Sequence, residues 1–230
     1  MELRVADWQD TLKAVPPGAA SLILTDPPYG TTCNSWDNAF DLDAFWTLAW
    51  RALPPTGAVV MTSQEPFTSK LIASQPTWFK YCWYWNKVLG TGHLNAKRQP
   101  LRNIEPVAVF YRKQTVYSPQ MTVDERGNRS WHRQNTQTGS YNDYGEATYS
   151  SGGLKYPTSL ITIYQAPKTK THPTEKPLAL MEYFVSTYTN EGDLVVDPFV
   201  GSGTTAIACR NLKRRFIGGD MNPEYVEMAQ

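Results

Sequence analysis

Leu194-Val195-Val196-Asp197-Pro198-Phe199-Val200-Gly201-Ser202-Gly203-Thr204-Thr205 decides how this chain folds. A short aliphatic run ends in an acid, a glycine-containing turn follows, and helix-forming residues run on from Thr204 to Asn211. That order predicts a buried strand handing over to a helix. Downstream, Arg215 to Gly218 reads as the next strand and Asn222-Pro223 as the start of another helix.

Working back toward the N-terminus, Leu178 to Thr189 has helical spacing. Ser21-Leu22-Ile23-Leu24-Thr25 is a second buried-strand run, entered from Pro16-Pro17-Gly18 and stopped by Pro27-Pro28. Leu42 to Leu53 predicts a helix ended by Pro54-Pro55, Ala58 to Met61 a strand, and Pro66 to Ser74 a helix. Tyr81 to Trp85 and Pro106 to Tyr111 are further strand candidates, separated by an expected loop from Gly90 to Asn103. Strands alternating with helices predict an α/β sheet with helices on both faces. Between residues 114 and 170 the aliphatics give way to Ser, Thr, Asn, Gln, Gly and Tyr, which predicts a small loop-rich insert.

Composition constrains the class. The 230 residues, 41% apolar and 13% aromatic, suffice for one sizeable core. With 22 basic and 21 acidic side chains, a polyanionic partner has to be held by a local patch rather than by bulk charge. Cys33, Cys82 and Cys209 are scattered and odd in number, which fits a reducing cytoplasmic compartment and no disulfide framework. His93, His132 and His172 are too dispersed to predict a metal site. No apolar signal core and no membrane-length apolar run is present, so a soluble protein is expected.

Gly201 and Gly203 lie where a strand meets a helix, a place where backbone can approach a ligand and free amides attract an anion. The next strand ends in Asp220, positioned to grip a ribose diol. Together they describe an adenosine-type cofactor pocket, although Gly-x-Gly alone also describes an ordinary turn. The second block is Asp26-Pro27-Pro28-Tyr29. Its two prolines stiffen the loop and present the Asp26 carboxylate and the Pro27 carbonyl as paired acceptors. Two hydrogen bonds drawn from one aromatic NH2 favour a pyramidal nitrogen whose lone pair faces an electrophile. Tyr29 either stacks on an extruded base or simply packs.

These blocks resemble the amino-methylating DNA methyltransferases of the β arrangement, in which the Asp-Pro-Pro-Tyr block precedes the recognition region and the Phe-x-Gly-x-Gly block comes last. Supporting the resemblance are His172-Pro173-Thr174-Glu175-Lys176-Pro177, the stretch from Phe216 to Tyr225, and the Glu105-Pro106-Val107 strand. Glu175 stands where the family usually has Gln, and Asp220 where Glu is commoner. The resemblance implies a Rossmann-like methyltransferase sheet with a catalytic half at 1–113, a target-recognition insert at 114–170 and a cofactor-binding half at 171–230. It implies S-adenosyl-L-methionine as cofactor and duplex DNA as substrate. Asp26, Pro27, Pro28 and Tyr29 would be catalytic. Asp7, Thr174, Lys176, Asp197, Phe199, Gly201, Gly203, Thr204, Thr205 and Asp220 would surround the cofactor, Thr174 and Lys176 at its methionine end and Asp7 at its adenine amine. Asp7 is also readable as an exposed turn residue.

Lys97, Arg98, Arg102, Arg126, Arg129 and Arg133 are the phosphate-contact candidates, interleaved further on with Trp131, Tyr141, Tyr144 and Tyr149. A solvated basic face explains the first cluster nearly as well. A cytosine C5 enzyme is disfavoured because no cysteine follows a proline. Adenine N6 is the leading target, since cytosine-N4 relatives more often begin the catalytic block with Ser. RNA or protein amino methylation, and a DNA-binding relative without catalysis, stay open, as do a homodimer and a partner restriction endonuclease.

Overall fold

The computed structural model describes residues 1–30, 40–133, 147–164 and 176–229. Its elements are β1 (Glu2–Val5), α1 (Trp8–Ala14), β2 (Leu22–Thr25), α2 (Leu42–Ala52), β3 (Ala58–Thr62), α3 (Phe67–Ser74), β4 (Phe79–Thr91) and β5 (Arg102–Tyr111). There follow β6 (Thr122–Val123), β7 (Ser130–Arg133), β8 (Ala147–Ser150), β9 (Leu154–Lys155), β10 (Leu160–Thr162) and α4 (Leu178–Tyr188). The chain closes with β11 (Leu194–Asp197), α5 (Thr204–Asn211), β12 (Arg215–Asp220) and α6 (Pro223–Met228).

Eight of these strands form one sheet in the order β1-β12-β11-β2-β3-β5-β4-β10. The β1, β12, β11, β2 and β3 pairings are parallel, whereas β5 runs antiparallel to both β3 and β4. Parallel strands covered on both sides need apolar residues at every position, and β2 and β11 are buried throughout. Alternate residues serve two cores. Leu22, Leu24, Val60, Val107 and Val109 pack with Leu180 and Phe184 of α4, and Ile23, Val59, Met61 and Phe110 pack with Phe45 and Trp46 of α2.

The topology sets the position of the site. From β11 the chain crosses through α5 to β12 on one side, and from β2 it crosses through α2 to β3 on the other. Adjacent strands whose crossovers diverge leave a crevice at their C-terminal ends. Val196 lies beside Ile23, so the loops after Asp197 and Thr25 open at the same edge. The Thr25 hydroxyl donates to Asp197 Oδ1 at 2.7 Å and ties the two strand ends together.

Several elements differ from the sequence expectations. β1 and α1 were not anticipated: β1 is four largely exposed residues held by backbone pairing to β12, and α1 is seven residues long, so neither carries a clear hydrophobic period. Part of the loop expected from Gly90 to Asn103 is strand, because β4 runs on to Thr91 past a register break after Asn86 and pairs there with Arg102. Only a single helical turn, His93–Asn95, lies between the two strands. The polar stretch at 114–170 is also divided. Residues 119–158 form their own compact unit, built on the β6–β9 and β7–β8 pairs, while β10 joins the main sheet beside β4. Three residues with one buried side chain, Ile161, give no periodicity by which to recognise β10.

Close packing forbids side chains at Gly218 and Gly219. A Cβ on Gly218 would stand 2.4 Å from Val200 Cγ2, and one on Gly219 2.0 Å from Thr11 Oγ1. Gly219→Ala is therefore expected to lower stability by about 1–3 kcal/mol, read as a shift of the urea midpoint at unchanged m-value.

Asp197 yields a second expectation. Burial pushes its carboxyl up to about 6, against the lowering effect of the Thr25 and Thr205 hydroxyls and the Phe199 amide. The folded protein then binds more protons than the unfolded chain between about pH 4 and 6, so stability falls as pH rises through that window. Asp197→Asn should remove the loss, and the variant's stability relative to the parent should rise by up to roughly 3 kcal/mol from pH 4 to pH 7. Equal stability differences at both pH values would contradict the assignment.

Candidate active site at the ends of β2 and β11

Asp26 follows β2 directly, and both oxygens of its carboxylate accept hydrogen bonds. Oδ1 accepts the Tyr29 hydroxyl at 2.5 Å and the Thr62 hydroxyl from the end of β3, and Oδ2 accepts Lys176 Nζ at 2.7 Å. The Tyr29 hydroxyl also lies 3.0 Å from Thr62 Oγ1, and its ring stacks on Phe67 at 5.4 Å. Burial, and then the neighbouring Asp26 charge, raise the Tyr29 phenol well above its ordinary value, so it stays a hydroxyl and donates. Pro27 is buried and Pro28 half-buried, and the corner lacks the amide hydrogens of both.

Asp197, Phe199, Gly201, Gly203, Thr204, Thr205 and Asp220 come together at the neighbouring strand ends. Asp220 Oδ2 accepts the Gly201 amide at 3.0 Å and Oδ1 the Asn222 amide at 2.9 Å, which pins the acidic end of β12 to the glycine turn. Gly203 precedes α5 in the left-handed region (φ 82°), where glycine is favoured, and provides no side-chain cap. The first amides of α5 thus keep donor capacity toward an anion. The Phe199 amide donates to Asp197 Oδ1 at 3.1 Å, beside the Thr25 hydroxyl, while the Thr204 hydroxyl meets Ser202 Oγ at 3.1 Å. Asp7 is the N-cap of α1, accepting the Asp10 amide at 2.8 Å. It sits at the same sheet edge as Asp220, because Val5 pairs with Asp220 and the Ala6 amide bonds the Asp220 carbonyl.

An aromatic chain joins the two halves of the site. Phe199 faces Trp8 at 6.4 Å and Phe40 at 5.2 Å, Phe40 reaches Phe67 at 6.1 Å, and Phe67 carries Tyr29.

Lys176, which the resemblance places at the methionine end of the cofactor, has its ammonium on Asp26 and 5.8 Å from the centre of the Tyr29 ring. Besides Asp26 it lies 3.7 Å from Glu105 Oε2. Burial works against the ammonium, but Asp26 and Glu105 outweigh it and hold its pKa above the ordinary lysine value. Glu105 Oε1 in turn accepts Lys87 Nζ at 2.8 Å. Thr62, Lys87 and Glu105 were not singled out from the sequence as site residues. A signal existed for Glu105, which alternates with Val107 and Val109 and therefore points a charge into an apolar face. Thr174 lies outside the described residues, as do His172 and Glu175.

Of the basic candidates, Lys97, Arg98 and Arg102 are exposed around the far end of the β4–β5 pair. Arg126 is already committed, because its guanidinium clasps both oxygens of Asp124 at 2.9 and 3.0 Å and, chiefly by those hydrogen bonds, holds that carboxyl down at about 2. Arg129 is exposed, and Arg133 ends β7. Trp131 and Tyr149 pair across β7 and β8 with rings 4.4 Å apart, whereas Tyr141 and Tyr144 lie outside the described residues. Among the described residues no group of three His, Cys, Asp or Glu side chains is arranged to hold a metal, and no helix is long and apolar enough to cross a membrane.

Known proteins resemble this chain in sequence and in fold. One relative is the type II methyltransferase M.HpaI of Haemophilus parainfluenzae, 56% identical over 61 residues, or 26% of this chain and 19% of that protein. The match thus spans about a fifth of that curated relative's length. Among solved structures, the M1.HpyAVI–SAM complex is 27% identical with a TM-score of 0.65, covering 99% of this chain and 97% of that one. The cytosine-N4-specific PvuII DNA methyltransferase, at 19% identity, shares the fold with a TM-score of 0.69, covering 99% and 84%. A family model for DNA methylases of the N6/N4 type matches residues 20–230, and the chain belongs to that family.

Proposed function

We propose that this protein is an S-adenosyl-L-methionine-dependent DNA methyltransferase acting on the exocyclic N6 of adenine in duplex DNA. The observation that carries the reading is the placement of Asp26 and the Gly201–Gly203 turn at adjacent strand ends tied by the Thr25–Asp197 bond. The residues fit the cofactor's chemistry: the amides at the start of α5 suit a carboxylate, Asp220 a ribose diol, and Phe199 and Trp8 an apolar ring face. When bound, the cofactor supplies a methyl group on a positively charged sulfur.

Asp26 and the Pro27 carbonyl would accept the two hydrogens of the target amine and turn its lone pair toward that methyl. Held in this way, the nitrogen lone pair would face the methyl group that the bound cofactor would supply. The amine then carries the positive charge until one proton passes to Asp26 or water. Catalysis on this scheme is positioning and electrostatics, for which a rigid, proline-braced corner is suited. Tyr29 orients Asp26 through its hydroxyl, and its ring would stack on an extruded base. The 119–158 unit would carry target recognition, with Lys97, Arg98 and Arg102 on phosphates.

The preference for adenine rests on Asp26, because N4-methylating relatives more often carry Ser there. Transfer of labelled methyl to duplex DNA, RNA and protein, followed by nucleoside analysis, tests both substrate and atom. N6-methyladenine is expected; N4-methylcytosine would correct the base, and label in RNA or protein alone would overturn the assignment.

Asp26→Ala should cut single-turnover transfer at least about 100-fold while cofactor affinity stays close to the parent's. Gly201→Val should abolish cofactor binding, measured by calorimetry. Neutralising Lys97 and Arg98 together should weaken binding to all duplexes alike and lower the salt slope of log K by about 2.

A further inference from the structure

Four charged side chains lie in series behind the candidate catalytic corner: Lys87, Glu105, Lys176 and Asp26. Their side chains are 5%, 13%, 10% and 25% exposed, so water screens them little. Two ammoniums and two carboxylates balance formally, but the hydrogen bonds are unevenly shared. Asp26 receives three donors, whereas Glu105 Oε2 is buried with no hydrogen-bond partner among the described residues. Lys176 Nζ lies 3.7 Å from it and is bonded to Asp26 instead.

That asymmetry bears on the chemistry. An ammonium held on Asp26 Oδ2 occupies an acceptor oxygen and draws off the negative charge that a target amine's N–H requires. A displacement of about 1 Å, within the reach of a flexible four-carbon stem, carries Nζ from Asp26 to Glu105 Oε2. Glu105 cannot easily come the other way. Its Oε1 is held at 2.8 Å by Lys87, which is itself 3.3 Å from Thr91 Oγ1, and its backbone is paired opposite Trp85 in the β4–β5 ladder.

We propose that Glu105 is a positioning residue that shares Lys176 with Asp26, so that Lys176 moves onto Glu105 when the amine arrives and leaves Asp26 Oδ2 free to accept it. Glu105 touches no reacting atom and acts through Lys176. In its absence Lys176 stays on Asp26 and competes with the substrate. The inference rests on the methyltransferase reading for its catalytic consequence, but the sharing of Lys176 between two carboxylates stands independently of that reading.

The experiment uses the full chain and the variants Glu105→Gln, Lys176→Met and the double variant. Glu105→Gln preserves size and an acceptor for Lys87 while removing the charge that attracts Lys176. It should lower single-turnover methyl transfer at least about 10-fold with cofactor Kd within about twofold of the parent's. In the double variant the competing ammonium is gone, and the rate should recover at least about 5-fold over Glu105→Gln. If Glu105 merely balanced charge, the double variant would regain melting temperature without regaining rate, and that result would overturn the proposal.

A second readout needs no activity. In lysine-selective NMR of the ligand-free protein, the Lys176 signal, assigned from its loss in Lys176→Met, should shift in Glu105→Gln. An unmoved signal would show that Glu105 does not share Lys176. A parent that transfers no methyl to DNA, with the Lys176 signal still responding, would refute the function alone.

Discussion

One hydrogen bond, from the Thr25 hydroxyl to the buried Asp197 carboxylate, joins residues 172 positions apart and marks the point on which the site depends. Parallel strands place their C-terminal ends at a common edge, and crossovers diverging from β2 and β11 keep that edge open. A chain that folded without this pairing would still contain both blocks, yet Asp26 and the glycine turn would no longer open at a common edge. Asp197 remains costly to bury as an anion, and its hydrogen bonds from the Thr25 hydroxyl and the Phe199 amide offset only part of that cost.

Around this join the protein uses two kinds of reinforcement. Apolar packing is regular, with alternate strand residues feeding the α4 side and the α2 side. Polar reinforcement is local and dense: Thr62, Tyr29 and Lys176 converge on Asp26, and Gly201 and Asn222 converge on Asp220. Each carboxylate is oriented by donors from separate elements, so neither rotates freely. The aromatic series from Trp8 through Phe199, Phe40 and Phe67 to Tyr29 adds apolar contact between the two polar centres. Such contact is less direction-sensitive than hydrogen bonding.

The basic side chains differ in what they have left to offer. Lys87 and Lys176 spend their charge inside the protein, and Arg126 spends its own on Asp124. Lys97, Arg98 and Arg102 remain exposed, so a balanced net charge coexists with a local cationic end of the β4–β5 pair. Counting cations along the sequence cannot separate these uses, since the partner that neutralises each one is brought by folding.

The sequence by itself determined the elements that carry their own period or punctuation. β2, β3, β5, β11, β12, the first part of β4 and the helices α2 to α6 were legible because apolar runs, helical spacing and flanking Pro or Gly act within a few residues. The two motif blocks were legible for the same reason, since Asp26-Pro27-Pro28-Tyr29 and Gly201-Ser202-Gly203 hold their local chemistry in consecutive residues. Only tertiary structure decided the rest. β1 and β10 exist because a neighbouring strand supplies their hydrogen bonds, and β4 continues past Asn86 because β5 runs beside it. The contact of Lys176 with Asp26 and the nearness of Glu105 to both depend on Coulomb interactions between residues remote in sequence, which act only once the sheet has brought them within a few ångströms.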